Sequence, residues 1–67
     1  MSSPTVIRHK TSSLYSDHFI TVISYYENNS FLCAVQTYKQ FERGYTALIT
    51  SDVFSSEEKA IENFNSK

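Results

Sequence analysis

Between His18 and Tyr38 the chain reads HFITVISYY, then ENNS, then FLCAVQTY, two runs of β-branched and aromatic residues on either side of paired asparagines. Neither run has helical spacing, so both read as strands. Asparagine tolerates positive φ, and Asn28-Asn29 suits a two-residue type I′ turn, whose twist matches that of the strands it joins. Asn28-Asn29-Ser30 also fits a glycosylation sequon, but a turn is the simpler reading. Fixing the turn fixes the register. Tyr26 then opposes Phe31, Ser24 opposes Cys33, Val22 opposes Val35 and Ile20 opposes Thr37. The other face carries Tyr25 with Leu32, Ile23 with Ala34, Thr21 with Gln36, and Phe19 with Tyr38. A slip of one residue would exchange the two faces.

Punctuation is otherwise sparse, with one glycine and one proline in 67 residues. Gly44 stands where a three-residue hairpin loop, Glu42-Arg43-Gly44, needs a left-handed residue. Phe41 then faces Tyr45, and a third strand runs from Tyr45 to Val53. Continued straight, this register puts Ala47, Ile49 and Val53 on the Val22–Val35 face. Thr46, Leu48, Thr50 and Asp52 fall on the Tyr25–Tyr38 face. The period changes at Ser55-Ser56-Glu57-Glu58, which reads as a capping box with Ser55 as N-cap. Ala60, Ile61 and Phe64 form a narrow apolar stripe beyond it. The expected helix, Ser56–Asn65, is about 15 Å long, too short to stand alone, so it must lie on the sheet.

Upstream, residues 1–4 are expected to fray, Thr5-Val6-Ile7 suits a short edge strand, and Leu14-Tyr15 suits an anchor. The expected fold is α+β in one small domain spanning residues 1–67. It has a three-stranded antiparallel meander (residues 18–26, 31–40 and 45–53), an optional short fourth strand at the N-terminus, and one C-terminal helix (residues 56–65) packed on one face.

Which face the helix takes follows from composition. Ile20, Val22, Tyr26, Phe31, Cys33, Val35, Ala47, Ile49 and Val53 make a mostly aliphatic set that suits a helix bringing only Ala60, Ile61 and Phe64. The other face mixes Phe19, Ile23, Tyr25, Leu32, Tyr38 and Leu48 with Thr21, Gln36, Thr46, Thr50 and Asp52. One helix covers one side of a sheet, so the second face meets water, a partner, or Val6, Ile7, Leu14 and Tyr15 folded across it. Aromatic residues among uncharged polar ones match the composition of protein interfaces, and soluble monomers rarely expose large apolar patches. Phe19, Tyr25, Leu32, Tyr38 and Leu48 are therefore the expected partner-binding residues, the partner being another protein or a second copy of the chain.

Chemistry is thinly represented. A single cysteine excludes an intramolecular disulfide. Cys33, mid-strand with no basic neighbour in sequence, reads as a buried small hydrophobe. His9 and His18 lack the further ligands that a metal site needs. Paired catalytic carboxylates, a glycine-rich phosphate loop and a nucleophile–His–Asp order are all missing, so neither an enzyme, a cofactor nor a metal is expected. Met1–Lys10 has no apolar run behind its charges, and Phe19–Ile23 is far too short to span a membrane. A cytoplasmic protein is expected.

Exposed tyrosines on a sheet also offer stacking surfaces to bases, which makes nucleic acid the alternative partner, held by Tyr25 and Tyr38 with Lys39 and Arg43. The string Phe54-Ser55-Ser56-Glu57-Glu58-Lys59-Ala60, following three strands, resembles the sheet-to-helix junction of AP2-like and integrase arm-binding domains. The resemblance covers about a third of the chain, implies binding through the sheet, and leaves the family unassigned. Those domains line the sheet with basic residues, whereas here Lys39 and Arg43 lie toward one hairpin end. With a net charge of −1 and two cations for phosphate contacts, the sequence favours a non-enzymatic protein-interaction module of the accessory or inhibitor type.

Overall fold

In the computed structural model, which describes residues 4–67, Asn28 and Asn29 both hold positive φ, 51° and 65°. That two-residue turn joins β2 (His18–Glu27) to β3 (Ser30–Gln40). The pair runs in continuous register from Glu27↔Ser30 to His18↔Lys39, with Val22 opposite Val35 midway along it. β1 (Thr5–Thr11) lies antiparallel to β2, and β4 (Thr46–Phe54) antiparallel to β3. The sheet is a four-stranded meander in the order β1-β2-β3-β4, and α1 (Glu57–Asn65) follows it. The architecture is α+β. The fraying expected for residues 1–3 lies outside the described residues.

The N-terminal segment supplies the optional fourth strand, longer than the expected Thr5-Val6-Ile7. β1 is a full strand at the sheet edge beside β2, so this part of the chain widens the sheet and does not fold across its open face. A register shift between Val6 and Arg8 leaves Ile7 as an extra residue. Bulges of this kind turn neighbouring side chains to one side. Ile7 accordingly packs against the helix-side core, while Val6 pairs with Ile23 on the open side.

β4 corrects an expectation. Gly44 is left-handed at φ 83°, and the Phe41 amide donates to the Tyr45 carbonyl at 2.9 Å, closing the loop with Tyr38 opposite Leu48. The straight register then breaks. Thr37 pairs with Thr50, Val35 with Asp52, Ala34 with Val53 and Cys33 with Phe54, leaving Ile49 as a bulge. From Thr50 onward every side chain sits on the face opposite to the one expected. Val53 leaves the core side, at 54% exposed, and Phe54 takes its place against the core. Asp52 and Thr50 move to the helix side. There the Lys67 ammonium meets Asp52 Oδ2 at 3.3 Å.

The core is Ile20, Val22, Cys33, Val35, Ala60 and Phe64, with Ile7 and Phe54 packed around it. Tyr26, Phe31 and Ile49, expected in this core, are exposed. The helix is too short to reach Tyr26 and Phe31, and Ile49 is the bulged residue of β4. With nine residues the helix is about 14 Å long, against roughly 33 Å for β3, which has eleven residues. Tyr26 and Phe31 stack edge-on beyond it, with ring centroids 5.5 Å apart. The N-cap is Ser56, not Ser55, with no side-chain capping bond, so the expected box does not form. Starting one residue later moves the box's third position from Glu58 to Lys59, which cannot accept a hydrogen bond. Glu57 and Glu58 still place two carboxylates in the first turn, where the helix dipole favours them. At the other end of the helix the Lys10 ammonium sits 4.6 Å from the Phe64 ring centroid, covering the core edge with a cation–π contact.

Candidate interaction face

On the side of the sheet away from α1 the pairing lines side chains up in rows across the strands. Phe19, Tyr38 and Leu48 form one row. The Phe19 and Tyr38 rings stack at 5.6 Å with an interplanar angle of 16°. His9 lies 5.6 Å from Phe19 on the outer side. A polar row comes next: His9, Thr21, Gln36 and Ser51. It is internally tied, since His9 Nδ1 shares a hydrogen bond with Thr21 Oγ1 at 3.0 Å, and the Tyr38 hydroxyl donates to Gln36 Oε1 at 2.7 Å. Beyond it lies an aliphatic row of Val6, Ile23, Ala34 and Val53, then the pair Tyr25 and Leu32.

All five residues expected to bind a partner therefore share one face. Leu48 is half-exposed at 51%, while Phe19, Tyr25, Leu32 and Tyr38 are partly shielded by one another. Val6, His9, Ser51 and Val53 complete the surface. Val6 and His9 come with the full-length β1, and Ser51 and Val53 with the bulge at Ile49.

Charge is sorted between the two sides. Arg8, Lys10, Lys39 and Asp52 pair with Val22, Ile20, Ala47 and Val35, so all four take the helix side. Among the described strand residues, Glu27 at the hairpin tip is the one charged side chain in step with the open face. An open sheet face usually carries charges that discourage association. Here the charges lie on the covered side.

The residues of the nucleic-acid alternative do not come together. Tyr25 and Tyr38 lie on the open face. Lys39 lies on the other, its ammonium 5.3 Å from the Phe41 ring centroid and 4.0 Å from Asp17 Oδ2. Arg43 sits in the loop beyond, where it lines a polar recess with Asp17 and Tyr45. A backbone lying on the tyrosines would find neither cation.

His9 and His18 are likewise separated. His9 is on the open face, while His18 packs against Tyr15 on the helix side, with ring centroids 4.7 Å apart. No cluster of three or more potential metal ligands occurs among the described residues. Cys33 is fully buried. Desolvation pushes its thiol above the ordinary value of 9.0, and the Glu57 carboxylate adds to the shift. Such a thiol stays protonated and unreactive at neutral pH. No described helix is long and apolar enough to cross a membrane.

Compared with known proteins, the chain matches no family model, no curated protein and no solved structure.

Proposed function

We propose that the chain is a small protein-interaction module, an accessory or inhibitor-type protein of the cytoplasm that works by contact and not by catalysis. The open face of the sheet is its binding surface. The observation that carries this reading is the four-strand face itself, with an aromatic row and an aliphatic row on either side of an uncharged polar one. Depleted charge and clustered aromatics are the features of the buried centre of protein interfaces. Phe19, Tyr25 and Tyr38 are the natural anchors, because aromatic side chains dominate the few contacts that carry binding energy. Nucleic acid fits less well, since Lys39 lies on the opposite face from the tyrosines.

The test compares wild type with the double variant Tyr25→Glu, Leu48→Glu, both changes lying on the open face and away from the core. Each is immobilised for capture from the native host, with bound proteins identified by mass spectrometry, and each is weighed by light scattering. The variant should keep its circular dichroism spectrum and lose both the captured protein and any self-association. Unchanged capture and unchanged mass would rule out this face as the working surface.

A further inference from the structure

Resting on that reading, we infer that the occupant of the open face is a second copy of this chain, packed face to face about a two-fold axis that runs along the polar row. Three observations point to it.

The first is size. The molecule extends 39 Å by 26 Å across its broad side. An elliptical outline on those axes, loops included, encloses on the order of 800 Å², an upper limit for the face that just reaches what each partner buries in a stable complex of standard size. Two copies so joined would share a core that the one short helix cannot provide on that side.

The second is the banding. A two-fold axis lying in the interface along His9, Thr21, Gln36 and Ser51 sets the polar row of one copy on the polar row of the other. The same rotation sets Phe19, Tyr38 and Leu48 over the partner's aliphatic row of Val6, Ile23, Ala34 and Val53. Large side chains then meet small ones, which is how packed layers interdigitate. The self-matching surface required by an isologous contact is present in one chain. Gln36 completes it: its Oε1 already accepts from Tyr38, leaving the amide N–H groups to donate across the axis.

The third is charge. A surface that meets itself about a two-fold axis brings each central charge close to its own copy, and like charges so placed are strongly unfavourable. The central rows carry no Asp, Glu, Lys or Arg, His9 stands at the β1 end of the polar row, and Glu27 stands at the hairpin tip, far from the axis.

The same geometry supplies the test. Gln36→Lys and Gln36→Glu each place like charges together on the axis, and each should weaken self-association by about tenfold or more. Mixed in equal amounts they should recover a one-to-one dimer, because opposite charges then meet. The assay is sedimentation equilibrium of wild type, each variant and the mixture over a concentration series, with circular dichroism as the check on folding. If either Gln36 variant loses its fold, Ser51→Lys and Ser51→Glu repeat the swap at an exposed position of the same row. A wild type that remains monomeric at every concentration overturns the inference, as does a mixture no more associated than its separate components. If wild type is monomeric while Tyr25→Glu, Leu48→Glu still abolishes capture of another protein, the second copy is the wrong occupant and the interaction face stands.

Discussion

The bulge at Ile49 reverses the roles of two adjacent residues, and a pair of alanine substitutions separates the two registers. In a straight β4, Val53 would be buried under α1 and Phe54 would project outward. In the structure Val53 is 54% exposed, whereas Phe54 lies opposite Cys33 and packs on the core. Truncating a fully buried phenylalanine costs about 3–5 kcal/mol, so the partly buried Phe54 should cost about 2 kcal/mol on replacement by alanine. Val53→Ala removes two methyl groups from a side chain already half in water and should cost about 0.5 kcal/mol. For a domain of this size each kcal/mol corresponds to roughly 4–8 °C in Tm. Phe54→Ala should therefore melt about 8–16 °C below wild type, and Val53→Ala about 2–4 °C below. Urea titration followed by circular dichroism gives the same comparison, provided it is run at high dilution, because Val53 also lies on the inferred self-contact. If Val53→Ala costs as much as Phe54→Ala, or more, the bulge is not where it has been placed.

Two further outcomes follow from the helix and the buried thiol. Ser56→Asp gives the N-cap a carboxylate able to accept the unpaired amides of the first turn and should raise stability by about 0.5–1 kcal/mol in urea unfolding; no gain, or a loss, would mean that those amides are already satisfied. Desolvation raises the Cys33 pKa in the folded state above 9.0, so its contribution is complete below that pH and is lost as pH rises from there through the folded-state value. The urea midpoint of wild type should accordingly fall more steeply above 9.0 than that of Cys33→Ala, and parallel curves would refute the burial argument.

How far the sequence could be read depended on whether an element is specified locally. The β2–β3 hairpin is set by two residues able to take positive φ, and a two-residue turn leaves one register. The five expected contact residues fell on one face for that reason, four of them lying on those two strands. β1 was legible as Thr5-Val6-Ile7 alone, because Arg8, His9 and Lys10 look like a polar run until a neighbouring strand pairs with them. The bulges at Ile7 and Ile49 have no turn residue or glycine to announce them. At Ile49 the bulge exchanges Val53 for Phe54 in the core, a gain in buried volume decided by tertiary packing. It also brings Asp52 within reach of Lys67, a contact between residues fifteen apart in the chain. The helix start slipped by one because the Ser55-Ser56 pair offers two candidate caps, and sequence alone does not say which one the chain leaving β4 will use.

The strict order β1-β2-β3-β4 has a kinetic side. Each strand pairs only with its neighbours in sequence, so the sheet forms by closing short loops, without the entropic cost of long ones. A meander of that kind could equally come apart one hairpin at a time. What opposes this is α1, which leaves β4, packs against Ile20 and Val22 of β2 and Cys33 and Val35 of β3, and ends with Phe64 under Lys10 of β1. It ties the last element of the chain to the first. Its docking should therefore favour loss of the four serially assembled strands in one step, with backbone and tyrosine signals melting together.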